Sequence, residues 1–387
     1  MSTSLTEIES KTIDTLRPLL SLMVVGLHVR PYFIDENALF VNSLYDASVI
    51  TIFKVLFSLA VPAFFLISGY LFFRHLEEWN YSIWKDKLKK RLKTLFIPYL
   101  LWNLIAFLGF FITRKAGQII KGNSPVDIIT LIHERGGLRL LWDRCLYGDL
   151  HSYNINHFGF TVIGGTPMNE PTWFLRDLMV VILFTPLIHF LIRKTGRLFI
   201  LITGILFCID LWIPVSGFSS KAFFMFSLGA WFSINGKTML DSFKRFSITE
   251  YSLSILLLFA TSISFNVNEW VYCVASRLFI ICGVPALFCM VSDFLSEKKD
   301  NNLCLKPEFV NSSFFIYLIH TVLITDATCW ALQTLIQPNN KAILLILLFA
   351  STIAVYLICL LIWIFMNRFM PRTLCCLTGN RSYDHQR

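Results

Sequence analysis

Long uncharged apolar segments recur along the chain, and shorter stretches that carry most of the charged residues separate them. A helix needs about 20 apolar residues to cross the hydrocarbon core of a bilayer. The pattern therefore predicts an all-α, polytopic membrane helix bundle of about ten spans within one domain, residues 1–387, with span boundaries good to about four residues. The predicted spans are Thr12–Tyr32, Val49–Phe73, Leu95–Thr113, Thr172–Ile192, Leu198–Val215, Ala222–Ile234, Tyr251–Phe265, Val271–Val291, Phe309–Trp330 and Ala342–Phe369.

The distribution of Lys and Arg predicts the orientation of these spans, because short cytoplasmic loops are enriched in both residues. The loop after the second span is the most basic, and the loops after the fourth, sixth and eighth spans and the tail 370–387 are basic too. All of them fall on one side if the number of spans is even. We therefore expect both termini in the cytoplasm and a long external loop at 114–171, where polar and aromatic residues suit a sugar-binding surface or an ordinary structured loop.

Composition agrees with this class of protein. Hydrophobic residues make up 55% of the chain, and the mean hydropathy is +0.62. The net charge of +9 is explained by the basic loops, so we expect no nucleic-acid partner. The ten cysteines are scattered without metal-ligand spacing, and the first residues lack the features of a cleavable signal, so we expect neither a metal site nor a removed leader.

Two ionisable residues stand in the first span, Arg17 and, eleven residues later, His28. That spacing is about three helical turns, so both side chains lie on nearly the same face, roughly 16 Å apart along the axis. Ionisable groups at membrane depth are costly and normally face the bundle interior, which makes both residues functional candidates. The structural alternative is an arginine that extends to the membrane surface and a hydrogen-bonded core histidine.

Other polar residues interrupt the apolar segments. They are Ser68 and Tyr70 at the end of span two, Trp173 and Arg176 at the start of span four, and Ser313, Tyr317 and His320 on one face of span nine. Ordinary structural interpretations remain open for them: close helix packing at Ser68-Gly69, an interfacial tryptophan anchor, and ion pairs. Ion pairing is also the simplest interpretation of Asp210, Arg277 and Asp326.

Several short patterns occur together in a fixed order. These are Arg17-x10-His28, Phe65-x-x-Ser68-Gly69-Tyr70, a basic run leading to Pro98-Tyr99, Trp173-Phe174-Leu175, and the run from Ser313 to His320. With them, nearly the whole chain resembles the acyltransferase type 3 family of bacterial inner-membrane proteins. Members of that family move acyl groups, usually acetyl, onto extracytoplasmic sugars. Because the chain stops shortly after span ten, it resembles the members without an added esterase-like domain.

The resemblance implies a cytoplasmic acyl-CoA donor, usually acetyl-CoA, and no permanently bound cofactor. It implies that Arg17 contacts the donor or fixes the geometry of the site and that His28 acts where the acyl group is transferred. We further expect Lys90, Arg91, Lys93, Ser68 and Tyr70 near the donor, and Trp173, Arg176, Tyr317 and His320 near the acceptor or the transition state. In one departure, Arg91 and Thr94 stand where relatives often carry two arginines, and neighbouring lysines supply charge without a bidentate fork.

His28 suits a general base because the unperturbed pKa of imidazole is about 6.5, and a covalent acyl-histidine is an open alternative. His320 and Tyr317 are candidates for stabilising the oxyanion. The expected function is O-acylation of a cell-surface polysaccharide or its lipid-linked precursor, in the bacterial inner membrane. The expected partners are membrane lipid, acyl-CoA, the glycan acceptor and polysaccharide-synthesis proteins. A glycan exporter and a structural subunit of a polysaccharide-synthesis complex are the alternatives.

Overall fold

The computed structural model describes residues 6–34, 43–74, 79–120, 129–130, 133, 154–155, 161–162, 165–213, 215–245, 247–265, 267–297 and 306–380. Nearly all regular structure in these ranges is helical. The exception is one antiparallel pair of two-residue strands, β1 (Asn154–Ile155) and β2 (Thr161–Val162), in which Asn154 lies opposite Val162. Most of the predicted external loop and residues 381–387 of the predicted tail lie outside the described residues.

The helices follow one another with short connections. They are α1 (Glu7–Val29), α2 (Leu44–Ser48), α3 (Ala60–Phe73), α4 (Tyr81–Arg91), α5 (Ile97–Ile120), α6 (Trp173–Leu183), α7 (Thr185–Thr195), α8 (Arg197–Cys208), α9 (Ser220–Ile234), α10 (Met239–Lys244), α11 (Ser247–Ser264), α12 (Glu269–Glu297), α13 (Pro307–Ile319), α14 (Thr325–Ile336), α15 (Lys341–Phe369) and α16 (Pro371–Thr378). Short 3-10 or π segments continue several of them, for example Val49–Val55 and Leu56–Leu59 between α2 and α3.

The predicted all-helical membrane bundle is confirmed. Among the described residues, seven helical segments are long and apolar enough to cross a membrane, or eight if the bent pair α6–α7 counts as one span. The fifth and sixth predicted spans correspond to α8 and α9, which have only 12 and 15 residues. After α8 the chain turns at Asp210, whose backbone is in the left-handed region (φ 61°). The count of ten spans is thus not reached by this test, and the orientation of the termini stays a prediction.

Contacts between helix ends define two ends of the bundle. At the first, which we call the basic end, Glu9 of α1 contacts Arg74 after α3, Lys87 of α4 donates to the carbonyl of Phe72, and Gly379 after α16 lies against Thr94. At the second, the opposite end, Tyr32 after α1 donates to Asp326 of α14. The starts of α1 and α4 and the end of α16 therefore share one end.

Two glycines bring α3 and α9 into near backbone contact at the centre of the bundle. A Cβ atom on Gly69 would lie 2.0 Å from the carbonyl oxygen of Phe226, and one on Gly229 would lie 2.1 Å from that of Leu66. Small residues allow such close approach between membrane helices. The packing interpretation of the Ser68-Gly69 pair is therefore confirmed for Gly69.

Two spans are broken. Helices α6 and α7 meet at a bend of 60°, where Phe184 is followed by Thr185 and Pro186 at the start of α7. Between α13 and α14 the backbone leaves the helical region at Val322 and Leu323, and Leu323 has a positive φ of 67°. The second break begins two residues after His320, so it shapes the candidate site directly.

Candidate functional site

Two histidines from different spans meet near the opposite end of the bundle. His28 lies in the last turn of α1, and His320 follows α13. Their ring centroids are 5.0 Å apart and the rings meet edge to face, with an angle of 71° between their planes. His320 is completely buried, whereas His28 is partly buried. Two separately predicted candidates thus form one site, which we call the histidine pair.

Backbone contacts set the protonation pattern of both rings. The Nδ1 atom of His28 lies 2.9 Å from the carbonyl oxygen of Val24, and that of His320 lies 3.1 Å from the carbonyl oxygen of Ile316. A carbonyl only accepts hydrogen bonds, so in the neutral rings Nδ1 carries the proton and Nε2 carries a lone pair. Each histidine therefore presents a proton acceptor on the side away from its own helix backbone.

The Nε2 atom of His320 is buried and has no hydrogen-bond partner among the described residues. Leaving a buried polar atom unsatisfied costs about 1–3 kcal/mol. Native proteins keep few such atoms, and each calls for an explanation such as a catalytic role. A buried lone pair beside a second imidazole fits a site that handles protons.

The helix break next to His320 is held by hydrogen bonds from Asn169. In a regular helix the amide of Val322 would donate to the carbonyl of Leu318. Here that carbonyl accepts from Nδ2 of Asn169 at 2.9 Å, while Thr321 Oγ1 donates to Oδ1 of Asn169 at 2.8 Å. Broken membrane helices need such replacement partners, since bilayer lipids offer none. Asn169 thus stabilises the backbone geometry that positions His320.

Asn169 is itself fixed by a buried network. Its amide donates to Oδ1 of Asn103 at 3.0 Å, and Nδ2 of Asn103 donates to Thr172 Oγ1 at 3.0 Å. Sequence reasoning missed both asparagines. The available signal was Asn103, an amide side chain within an apolar span, because such residues usually hydrogen-bond across helices.

Tyr317 lies in the same site but its hydroxyl proton is engaged. The hydroxyl donates to the carbonyl of Pro171, just before α6, and the ring centroid lies 6.5 Å from that of His320. This contact ties α13 to the start of α6. Two charged groups, Glu170 and Arg30, interact electrostatically with His28.

Arg17 is not part of this site. Its guanidinium forms an ion pair with Asp14 at 2.9 Å and is 36% exposed. Ser21 and Val24 lie between Arg17 and His28 on the same helix face, and both are buried. Packed side chains therefore occupy the line that the sequence suggested between the arginine and the histidine.

Tyr70, a candidate for donor binding, belongs to a buried network at the basic end. Its hydroxyl donates to both carboxylate oxygens of Glu9, at 2.9 and 3.0 Å, and accepts from Arg74. Oε1 of Glu9 also accepts from the amides of Met239 and Leu240, at 3.0 and 3.3 Å. These contacts give Tyr70 a structural role. The sequence analysis passed over Glu9 and Arg74, although both are charged residues at the ends of apolar spans.

The remaining donor candidates also lie toward the basic end. Lys90 and Lys93 are exposed, the guanidinium of Arg91 lies 5.9 Å from the ring centroid of Phe72, and Ser68 is partly buried. Glu9 marks the basic end on α1, and His28 follows 19 residues later, which is about 28 Å along a helix. The cations and the histidine pair are thus separated by most of a span.

Trp173 and Arg176, the other acceptor candidates, face a polar cavity beside the histidine pair. Arg176 lies 3.4 Å from Asp177 and donates to the carbonyl of Gly165 at 2.8 Å. Phe174, on the neighbouring face of α6, packs against Tyr317 with ring centroids 5.8 Å apart. The first two turns of α6 therefore separate this cavity from the histidines.

The family comparison covers nearly the whole chain, since a family model described as an acyltransferase domain matches residues 10–367. The chain belongs to the acyltransferase type 3 family. The type 3 match includes both members of the histidine pair and all of the helices from which the site is built. A multi-pass membrane acyltransferase is therefore established at the level of the family.

The chain is also similar to a type 3 relative from Rhizobium meliloti (strain 1021), the "Succinoglycan biosynthesis protein ExoH". The two are 30% identical over 239 residues, which is 60% of this chain and 57% of the relative. The match thus spans little more than half of the length of that protein. No solved structure matches the chain.

Within this type 3 acyltransferase, the structure brings together three of the predicted site residues, His28, Tyr317 and His320. Arg17 lies apart from them, paired with Asp14. Asn103 and Asn169 support the site although the sequence did not single them out.

Proposed function

We propose that this chain is an O-acyltransferase of the bacterial inner membrane. It moves an acyl group, by expectation acetyl, from cytoplasmic acyl-CoA to a hydroxyl of a cell-surface polysaccharide or its lipid-linked precursor. Family membership and a relative named for succinoglycan biosynthesis support the class of reaction. The observation that carries the proposal is the histidine pair, in which two imidazoles with free Nε2 lone pairs lie 5.0 Å apart.

In the proposed step, His28 Nε2 accepts the proton of the sugar hydroxyl while the hydroxyl oxygen attacks the thioester carbonyl carbon. A C–O bond forms and the carbonyl electron pair moves to its oxygen. When the tetrahedral intermediate collapses, the C–S bond breaks and the thiolate of CoA leaves. The thiolate takes the proton from the His28 imidazolium, so the products are an ester and free CoA. Imidazole suits both halves of this cycle because its unperturbed pKa is near neutrality.

His320 supports His28 in this scheme. With its Nδ1 proton directed at Ile316, neutral His320 has no proton on Nε2 to donate to an oxyanion. A free lone pair beside His28 instead stabilises the imidazolium that forms when His28 takes the substrate proton. Tyr317, whose hydroxyl donates to Pro171, acts as a positioning residue.

The cations at the basic end suit the phosphates of the donor. Lys90 and Lys93 are exposed, so they can attract a polyanion from solvent as point charges. Arg17 lies part-way along α1, eight residues after Glu9 and eleven before His28. Its place in the proposal is along the route by which the donor approaches the histidine pair.

The test uses the purified full-length chain in lipid nanodiscs, with radiolabelled acetyl-CoA and isolated surface glycan. We expect His28→Ala to lower acyl transfer by about 10²–10⁴-fold, the usual contribution of a general base. The matched control is His189→Ala, since His189 stacks on Phe73 and Trp79 away from the histidine pair, with centroids 6.0 and 5.3 Å apart. That variant is expected to keep full activity.

Transfer at the wild-type rate by a correctly inserted His28→Ala protein would remove His28 from the mechanism. Mass spectrometry of surface glycans from a deletion strain, complemented with either variant, gives the cellular answer. Loss of one acyl mass supports the enzyme. Loss of the exported glycan itself, with its composition unchanged, would favour the exporter alternative.

A further inference from the structure

A polar cavity of about 500 Å³ lies beside the histidine pair, between α6, α9 and α12 and the connection from α8 to α9. Its wall carries three cations, Arg176, Lys221 and Arg277, and two carboxylates, Asp177 and Asp210. The wall therefore has one net positive charge when all five groups are ionised. Small-molecule sites commonly have volumes of 300–1,000 Å³, so the size is that of a ligand site.

Both arginines in this wall are engaged. Arg277 lies 2.6 Å from Asp210 and donates to the carbonyl of Phe207 at 2.5 Å. Arg176 is bonded to Asp177 and Gly165. These pairs hold the two carboxylates on the arginines, so the remaining cation sets the net charge of the cavity.

That remaining cation is Lys221. Among the described residues its ammonium has no hydrogen-bond acceptor and no carboxylate within ion-pair distance, although Asp177, Asp210 and Arg277 act on it electrostatically. The ammonium lies 5.9 Å from the ring centroid of Trp173. A second tryptophan, Trp212, also lines the cavity. One cation and two flat aromatic rings thus face the same space.

The helix ends at this cavity add to its preference for anions. Both α6 and α9 begin at its wall, and neither has an acidic residue in its first turn. The N-terminal end of a helix carries a partial positive charge, which favours anions and disfavours cations. Yet Arg176 is the fourth residue of α6 and Lys221 the second residue of α9. An anion bound between these helix ends would relieve that unfavourable arrangement.

We propose that this cavity binds a sugar that carries an anionic oxygen group, a carboxylate or a phosphate, as part of the acceptor. Lys221 faces the anionic group, and Trp173 and Trp212 lie against the faces of the sugar ring. The acceptor assignment rests on the proposed acyl transfer, and it places the acceptor next to the histidine pair, across the first turns of α6.

The test measures binding by calorimetry to the purified full-length chain without any acyl donor. The probes are a glucuronate-containing trisaccharide, glucose 1-phosphate and a neutral glucose trisaccharide. We expect an anionic probe to bind more tightly than the neutral one, and the tighter anionic probe shows which group the cavity takes. Lys221→Gln should weaken anionic binding about 10-fold, equivalent to about 1.4 kcal/mol, and leave neutral binding unchanged.

Two further variants sharpen this test. Lys221→Arg keeps the charge and should keep most of the affinity. Lys237→Gln is the matched control, because Lys237 also lies over a tryptophan, 4.6 Å from the ring centroid of Trp231, but beyond the far end of α9. Equal binding of neutral and anionic probes, or unchanged anionic binding in folded Lys221→Gln, would overturn the inference.

The result separates this inference from the proposed function. Anionic binding without acyl transfer would contradict only the transferase proposal, and transfer without an anionic preference would contradict only the cavity assignment. If Lys221→Gln does not fold, the wild-type chain still decides. Added sodium chloride should then weaken anionic binding and spare neutral binding, and an anionic affinity that does not change with salt would count against the cavity.

Discussion

The two ends of α1 hold buried polar groups in opposite conditions. At the basic end the carboxylate of Glu9 accepts from Tyr70, Arg74 and two backbone amides. At the opposite end Nε2 of His320 is buried without a partner among the described residues, beside His28. The same helix thus begins in a saturated network and ends in an unsaturated one.

This difference separates structural from chemical roles. A buried polar network whose members are satisfied rigidifies a protein, whereas an unsatisfied group is a cost that function can explain. By this criterion Tyr70 belongs to the scaffold and His320 to the site, although both were functional candidates from sequence. Four variants test whether the criterion holds, in order of decreasing expected effect.

The strongest test removes the centre of the saturated network. Glu9→Ala leaves the buried cation of Arg74 without its carboxylate and should lower the free energy of unfolding by about 3–5 kcal/mol. Glu9→Gln keeps an acceptor oxygen for the amides of Met239 and Leu240 and should cost less. Thermal unfolding in detergent, followed by tryptophan fluorescence, measures both. An Ala variant as stable as the Gln variant would contradict the structural role.

The second test crowds the helix crossing near the saturated end. Gly69→Ala places a Cβ 2.0 Å from the carbonyl oxygen of Phe226, and the forced shift should destabilise the chain by about 1–3 kcal/mol or more. Gly109→Ala is the control, because the nearest atom to its Cβ is a flexible side-chain carbon of Leu323 at 3.9 Å. Equal unfolding temperatures for the two variants would show that the crossing has slack.

The third test loosens the support of the histidine pair. Asn169→Ala leaves the carbonyl of Leu318 without its side-chain donor and should cost about 1–3 kcal/mol. The kcat should fall as well, because the helix break that positions His320 relaxes. Thr321→Val removes only the hydroxyl that donates to Asn169 and should have the smaller effect on both. The assignment fails if Asn169→Ala is destabilised while its kcat is unchanged.

The smallest change in stability is expected at the unsaturated end itself. His320→Leu removes a buried nitrogen without a partner, and Ile316 keeps its backbone hydrogen bond from residue 320. The variant should therefore unfold at the wild-type temperature or up to about 1–3 kcal/mol more stably, while losing most acyl transfer. Destabilisation together with full activity would reverse the roles assigned to the two ends.

Much of the fold follows from hydropathy alone. Every apolar segment predicted to span the membrane is helical where it is described, because backbone groups in lipid must pair within the segment. Hydropathy does not fix where helices stop inside apolar sequence. The end of α8 near Asp210 and the break at Leu323 depend on backbone conformations that tertiary contacts select.

The site was predictable residue by residue but not as an arrangement. Arg17 and Asp14 are three residues apart on one helix, so their ion pair could have been anticipated from spacing. The contact between His28 and His320 joins helices far apart in sequence, and no periodicity reports it. The same holds for Tyr70 and Glu9, whose pairing only the packing of α1 on α3 reveals.

The short helix after the break also acts as a lever on the reacting imidazole. Helix α14 holds the end of α1 at two points, where Asp326 accepts from the hydroxyl of Tyr32 and Gln333 donates to its backbone carbonyl at 2.6 Å. Tyr32 lies four residues beyond His28, about one helical turn. Any tilt of α14 about the Leu323 joint is therefore transmitted to the ring of His28, which couples events at that surface of the membrane to the aim of the base.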